Sequence, residues 1–129
     1  MSLHPGLVAI DLTVEQTDRW LDELIAEVGW PDRNQAFVGM TAVLQTIRDR
    51  LSVDDAIALA VELPALLRGV FLEDWQPSQQ SPRVFTRREF LRGVSARLAS
   101  AGIREDPESI TQAVFRVLAR NLAPATSAA

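Results

Sequence analysis

Apolar residues recur every third or fourth position along most of this chain, which is the period of an amphipathic helix. The first such stretch begins at Thr13, where Thr13 and Gln16 match a capping box, and Gly29 is suited to end it. Asp32 is suited to cap a second stretch, which continues to Leu51. The pattern therefore predicts two long helices before Leu51.

Two shorter helices are predicted after Leu51. Ser52 is a good capping residue for the third helix. Pro64 has no backbone N–H and clashes with a preceding helical turn, so the third helix should stop near Leu63. Pro64 is then expected at the first position of a fourth helix, which ends before Trp75.

The second half of the chain predicts a linker followed by two more helices. Residues 76–85 are rich in proline, serine and glutamine, which is typical of a linker. Thr86 and Glu89 match a second capping box, and the helix they begin should end near Gly102. Asp106 is suited to cap the last helix.

Strand patterns do not compete with these helices, because no stretch alternates apolar and polar residues and no Asn-Gly or Asp-Gly turn occurs. The predicted fold class is all-α, a compact bundle of about five to six helices. Residues 13–122 are predicted to form a single helical domain. Residues 1–12 are expected to be an irregular N-terminal arm, and residues 123–129 a disordered tail.

The helical domain shows an internal helix-pair duplication. Copy one covers residues 13–75 and copy two covers residues 86–122, at a shift of about 70 residues. Matching positions are Trp20 and Phe90, Leu24 and Val94 and, one residue further out of register, Val43 and Val114. A chance match between two amphipathic helix pairs is the alternative. Copy two lacks a counterpart of residues 53–72, so an apolar face is expected there, covered by the linker and the N-terminal arm or by another subunit.

Three segments carry a resemblance to a known family. They are PDRNQAFVGMTAVLQTIRDRL, DDAIALAVELPALLRGVFLEDWQP and TRREFL. In this order and spacing, the chain resembles the bacterial family called domain of unknown function 2267, from about Asp18 to Leu122. Residues 41–51, and residues 63–75 with Pro77, are the most specific parts. The resemblance implies a small all-helical domain with internal duplication, and it implies no activity.

Composition excludes several kinds of protein. A length of 129 residues and an apolar share of 47% indicate one globular domain. The absence of cysteine excludes a disulfide framework, a thiolate nucleophile and a cysteine-bearing zinc site. No apolar run reaches the ~20 residues of a membrane span, and the N-terminus does not resemble a signal peptide. A cytoplasmic location is therefore expected.

Candidate catalytic and metal-binding residues are few. His4 is the only histidine, which leaves a Ser-His-Asp site, a Cys-His site and a His-rich metal site without essential parts. The carboxylate pairs are adjacent in sequence, and neighbouring residues on a helix point about 100° apart. No Glu-x-x-His motif and no phosphate-binding loop is present. We therefore predict no catalytic, metal or cofactor site, and we expect that the protein is not an enzyme.

Charge is divided unevenly along the chain. The net charge is −4, but residues 1–75 hold thirteen carboxylates and five arginines, whereas residues 76–129 hold four carboxylates and eight arginines. Such a division indicates an acidic face and a basic face. These faces could pair within one chain, or between chains with a dependence on salt.

Six residues form a possible interaction surface. Arg83, Arg87, Arg88 and Arg92 belong to an Arg-rich region, 83–104, that could bind anions or nucleic acid, or could lie along a solvated helix flank. Net acidity weighs against nucleic acid, and so do the helical positions, which put Arg88 and Arg92 on one side of the apolar face and Arg97 on the other. Trp75 is either an interface anchor or, in the preferred interpretation, a plug at one end of the core, and Arg68 precedes it by two helical turns.

Three functional hypotheses follow. The first is a non-enzymatic protein-interaction or self-association module, expected as a homodimer that covers the open face of copy two. The second is a small-ligand-binding domain, with a pocket between the repeats near Arg68 and Trp75. The third is a weak nucleic-acid binder that uses the Arg-rich region. The sequence favours the first.

Overall fold

The computed structural model describes residues 8–30, 32–80 and 84–122, and these residues form six α-helices and no strand. The helices are α1 (Val8–Val28), α2 (Arg33–Arg50), α3 (Val53–Ala60), α4 (Ala65–Leu72), α5 (Arg87–Ser100) and α6 (Pro107–Asn121). A short 3₁₀ helix, Pro77–Gln79, follows α4 within the predicted linker. The prediction of an all-α bundle of five to six helices is confirmed.

The first helix starts earlier than the sequence predicted. It begins at Val8, so residues 8–12 are helical and the prediction of an irregular arm is wrong for them. The sequence VAIDL at this start contains neither glycine nor proline, and nothing in it opposes a helix. Thr13 lies inside α1 and caps nothing there; its Oγ1 accepts a hydrogen bond of 3.1 Å from the backbone N–H of Leu66. The rest of the predicted arm and the predicted tail lie outside the described residues.

Hydrogen bonds confirm the predicted starts of α2, α3, α5 and α6. The side chains of Asp32, Ser52 and Asp106 accept hydrogen bonds from backbone N–H groups in the first turns of α2, α3 and α6. Thr86 and Glu89 form a complete capping box at the start of α5. These caps satisfy N–H groups that a helix leaves without an internal partner.

The break between α3 and α4 differs in detail from the prediction. Helix α3 ends at Ala60, three residues before Leu63, and Pro64 is the N-cap of α4 rather than its first residue. The carbonyl oxygen of Ala60 would need the N–H of residue 64 to continue the helix, and Pro64 has none. Arg68 supplies donors instead: its Nε donates to the carbonyl oxygen of Ala60 at 2.9 Å, and its Nη2 donates to that of Leu63 at 3.1 Å.

Four helices form a closed ring around the core. Helix α1 packs against α2 and α6, and α5 packs against the same two helices. Helix α4 covers the side of the ring formed by α1 and α2, and α3 packs on α4. The largest fully buried side chains come from five of the helices: Leu24, Met40, Val43, Leu44, Leu67, Phe71, Val94, Leu98, Ile110, Val114 and Val117.

Gly39 lets α2 approach its neighbours closely. A Cβ atom at this position would lie 3.0 Å from Cζ3 of Trp30 and 3.1 Å from Cδ1 of Ile110 on α6. The absence of a side chain at Gly39 therefore permits the close contact of α2 with Trp30 and with α6. The single unfavourable residue inside α2 is thus explained by packing.

The two helix pairs, α1–α2 and α5–α6, share local features. Gly29 and Gly102 both end a first helix with positive φ, at 76° and 77°. Asp32 and Asp106 both cap a second helix, 74 positions apart. At that shift the buried positions coincide: Ala36 with Ile110, Met40 with Val114, Val43 with Val117, and Leu44 with Leu118. The sequence alignment matched Val43 with Val114, whereas the structure matches Val43 with Val117. The two alignments of the second helices therefore differ by three residues, nearly one helical turn.

Candidate functional site

Two concave surfaces lie on either side of the last turns of α2. The first, called here the polar cleft, has a volume of about 410 Å³. Its lining residues are Arg48, Asp49, Arg50, Asp74, Trp75, Gln76, Gln79 and Gln80. The second, called here the apolar groove, has a volume of about 500 Å³ and lies between α2, α5 and α6. Its lining residues are Ile47, Arg50, Leu51, Phe85, Arg87, Phe90, Leu91, Glu108, Thr111, Gln112 and Phe115.

Gln80 organises one wall of the polar cleft. Its Nε2 donates to the carbonyl oxygens of Arg48 and Leu51, at 2.6 Å and 2.7 Å, at the C-terminal end of α2. Its Oε1 accepts a hydrogen bond of 3.1 Å from Nε1 of Trp75. Trp75 is half-buried with a bonded indole, as expected for a residue that plugs the end of a helix bundle.

Arg48 also lines the polar cleft. This residue is only 6% exposed, and its Nη1 donates to the carbonyl oxygens of Phe71 and Glu73 at 2.9 Å and 3.0 Å. Its Nε and Nη2 both lie 2.9 Å from Oδ1 of Asp49. Oδ2 of Asp49 in turn accepts a hydrogen bond of 2.5 Å from Nη2 of Arg97 on α5. One arginine–carboxylate–arginine series therefore joins α2, the end of α4 and α5.

The polar cleft is consequently a structural joint. Its charged and amide groups are used to satisfy the carbonyl groups at the ends of α2 and α4. Trp75 lines this cleft and Arg68 does not, so the structure does not bring the two residues of the predicted ligand pocket together here. The guanidinium of Arg68 instead donates to carbonyl oxygens at the end of α3, including that of Val61 at 3.3 Å.

The apolar groove is built around three phenylalanines. The ring centroids of Phe85 and Phe90 are 6.0 Å apart, and those of Phe90 and Phe115 are 6.2 Å apart. Phe85 precedes the N-cap Thr86 and Phe90 is the fourth helical residue, which is the arrangement of a hydrophobic staple. Phe115 is 47% exposed, although large apolar residues tend to be inside. The groove thus offers an aromatic surface to solvent.

Arginines lie at the edge of the groove. Cζ of Arg50 is 5.3 Å from the ring centroid of Phe85, within the range of a cation–π contact. Arg87 pairs with Glu108 across the groove. Arg88 and Arg92 are exposed on α5 and do not line it, and Arg83 lies outside the described residues. Of the four predicted arginines of the Arg-rich region, only Arg87 is therefore placed at the groove.

Two buried polar atoms at the groove have no hydrogen-bond partner among the described residues. They are Oγ1 of Thr111 and Nε of Arg50. Thr111 is 6% exposed, so its hydroxyl cannot be satisfied by bulk water in the way that a surface hydroxyl is. A buried hydroxyl in this state costs free energy, which a ligand atom at the groove could recover.

Some arginines of the second half pair with carboxylates of the first half within the chain. Arg120 of α6 lies 2.7 Å from Oε1 of Glu27 and 3.5 Å from Oε1 of Glu23, both on α1. Arg116 lies 3.4 Å from Oε2 of Glu27. The Arg33 guanidinium donates hydrogen bonds to the carboxylates of Asp22 and Asp18, which raise its pKa above the ordinary value. These exposed pairs contribute little stability each, but they align α1 with its neighbours.

Other chemistry finds no support in residues 8–30, 32–80 and 84–122. No group of three His, Cys, Asp or Glu side chains there could hold a metal ion. None of the helices in these ranges is long and apolar enough to cross a membrane. His4 lies outside them.

Sequence reasoning missed the residues that define both surfaces. No local pattern marks Arg48 as a buried residue, because a buried arginine is rare and its carbonyl partners are distant in sequence. Phe85 and Phe115 carried a usable signal: Phe85 stands directly before a capping box, and Phe115 interrupts the polar face of α6. An aromatic residue on a polar helical face is the pattern that could have predicted the groove.

Comparison with known proteins places the chain in an uncharacterised group. The model of the family described as "Uncharacterized conserved protein (DUF2267)" matches residues 17–128. A search of the curated proteins found no significant match.

Proposed function

Because the chain belongs to the DUF2267 family, whose description assigns no activity, we propose from its surfaces that it is a non-enzymatic protein-interaction module. The observation that carries this proposal is the apolar groove, with its three phenylalanines and its arginine edge. Exposed apolar surface of this kind is typical of a binding site.

The chemistry of the groove selects a kind of partner. Side chains of Ile47, Leu51 and Leu91 extend the aromatic surface, and an amphipathic helix can place its apolar face on such a groove. Arg50 and Arg87 at the edge favour a partner with carboxylates beside that face, although Glu108 neutralises part of this charge. We therefore propose an acidic amphipathic helix as the partner.

Fluorescence anisotropy with two labelled model helices tests this proposal. Both peptides carry the same leucine face, one with glutamate and one with lysine on its flanks. We expect the acidic peptide to bind better, and binding to weaken as salt is added, because exposed charges are screened. Equal binding of both peptides would contradict the role of the arginine edge. If neither peptide bound, the groove would not be a binding site for an amphipathic helix.

Phe115→Asp provides the matched variant. It places a charge on an aromatic contact that is 47% exposed, so the fold should tolerate it while peptide affinity falls about tenfold or more. Ala26→Asp introduces the same charge at an exposed position of α1 and serves as the control. Circular dichroism of both variants confirms that the helices are retained. Equal affinity of the two variants would place the binding surface elsewhere.

A small amphiphilic anion is the second candidate ligand. The specific observation in its favour is the unpartnered Thr111 hydroxyl beside a groove of about 500 Å³. Dodecanoate is a suitable probe, since its chain fits apolar surface and its carboxylate can meet Arg50 or Arg87. If dodecanoate raised the melting temperature and neither peptide bound, the protein would be a ligand-binding domain rather than an interaction module.

A further inference from the structure

We propose that the partner of the apolar groove is helix α3 of a second copy of this chain. This inference rests on the proposed function, because it names the acidic helix that the groove receives. The groove of one copy would hold the outward face of α3 from the other.

The outward face of α3 has the pattern that the groove requires. Ile57 is 48% exposed and Val61, which follows it by one helical turn, is 62% exposed. Asp54 and Ala58 are exposed on the same helical stripe, because positions three, four and seven apart share one face. These four residues form what is called here the α3 ridge. Leu66, at the start of α4, adds a further exposed apolar side chain at 47%.

The α3 ridge is supported by the rest of the chain as a rigid element. Ala56 and Ala60 bury the opposite face of α3, and the Ser52 side chain caps its start. Arg68 holds the carbonyl groups at its end, as described above. A helix fixed in this way loses little conformational freedom when it binds, which favours association.

Charge is complementary between the two surfaces. Asp54 and Asp55 lie in the first turn of α3, and Glu62 follows its last turn. At the groove, Arg50 and Arg87 lie at the edge, and Arg88 precedes the lining residue Leu91 by one helical turn. An acidic ridge with apolar side chains therefore meets an apolar groove with basic edges. Such complementarity fixes orientation and raises the association rate.

A two-fold axis would use both surfaces of both chains. Each copy has one ridge and one groove, so two-fold symmetry repeats the same contact twice and closes the assembly as a dimer. Each single contact is small, and two together should give a dimer of about micromolar affinity.

The test uses one variant for each surface and the full chain throughout. Val61→Asp places a charge on the ridge, and Phe115→Asp places one in the groove. Sedimentation equilibrium of the wild type into the high micromolar range should show a dimer that salt weakens. Each variant alone should be a monomer, because both ridge–groove contacts of its dimer would contain a substituted ridge or a substituted groove. Ala26→Asp should dimerise like the wild type.

Mixing the two variants gives the decisive result. A mixture contains one intact ridge and one intact groove, so a heterodimer should form, with a dissociation constant about tenfold or more above the wild-type value. Ile57→Asp should behave like Val61→Asp and mix in the same way. A Val61→Asp chain that still dimerises, or a mixture that stays monomeric although the wild type dimerises, would overturn the inference.

Failure of this inference is separable from failure of the proposed function. A wild-type chain that is monomeric at high micromolar concentration and still binds the acidic model helix would remove the second copy as partner and leave the interaction module in place. A monomeric chain that binds neither model helix would remove both.

Discussion

Arg48 and Arg50 are two residues apart on α2, and the surfaces they belong to differ in almost every respect. Positions two apart on a helix point about 200° apart, so Arg50 reaches the apolar groove as well as the edge of the polar cleft, whereas Arg48 lines only the polar cleft. Arg48 is buried and donates to the carbonyl oxygens of Phe71 and Glu73 and to Asp49. Arg50 lies over the ring of Phe85, and its buried Nε has no partner among the described residues.

This difference indicates that the polar cleft holds helices together, whereas the apolar groove remains available for binding. In the polar cleft, Arg48 and Gln80 donate to carbonyl groups that helix ends leave open, and Asp49 accepts hydrogen bonds from Arg48 and from Arg97 of α5. In the apolar groove, the Phe115 ring is exposed and the Thr111 hydroxyl has no partner among the described residues. A surface whose polar groups are already paired has little to offer a ligand, whereas the groove gains from a partner.

Among the substitutions that test the difference between the two surfaces, Arg48→Met should change the free energy of unfolding most. The substitution removes the donors from the carbonyl groups of Phe71 and Glu73, and it should lower the free energy of unfolding by about 3 kcal/mol. Urea denaturation measures it. Arg50→Met is the control, because Arg50 contributes mainly a cation–π contact, and it should cost about 1 kcal/mol or less. Equal losses for the two variants would show that both surfaces are structural.

A smaller effect is expected from Gln80→Ala. This change leaves the Trp75 indole and two carbonyl groups at the end of α2 without their partner, and should cost about 1–2 kcal/mol because water can replace part of the lost bonds. Gln79→Ala, at an exposed neighbour that lines the same cleft, should be within about 0.5 kcal/mol of wild type. If chemical denaturation gave the same midpoint for both variants, the capping role of Gln80 would be refuted.

The smallest effect has the opposite sign. Thr111→Val removes a buried hydroxyl with no partner among the described residues, and should raise the free energy of unfolding by up to about 1 kcal/mol. Thr46→Val is the matched change in the paired network, because Oγ1 of Thr46 donates to the carbonyl oxygen of Ala42 and accepts from Arg97. It should cost about 1–2 kcal/mol. Thermal unfolding of both variants checks the contrast, and a loss for Thr111→Val as large as that for Thr46→Val would disprove it.

The candidate sites were predicted less well than the helices, for identifiable reasons. Trp75 was expected at the end of a bundle with a bonded indole, and its bond to Gln80 agrees with this. Arg87 was expected on a surface and lies at the groove. The roles of Arg48 and Gln80 could not be predicted, because the backbone carbonyl groups to which they donate lie 23 to 32 residues away in sequence.

The sequence by itself determined the helices of this protein. The period of its apolar residues, and caps such as Ser52 and Thr86, act within a few residues of the chain, so they can be recognised without knowing the fold. Only the tertiary structure decided which polar groups meet at helix ends and which aromatic rings remain uncovered. Those outcomes depend on how α2, α5 and α6 approach one another, and contacts between distant segments leave no local pattern in a single sequence.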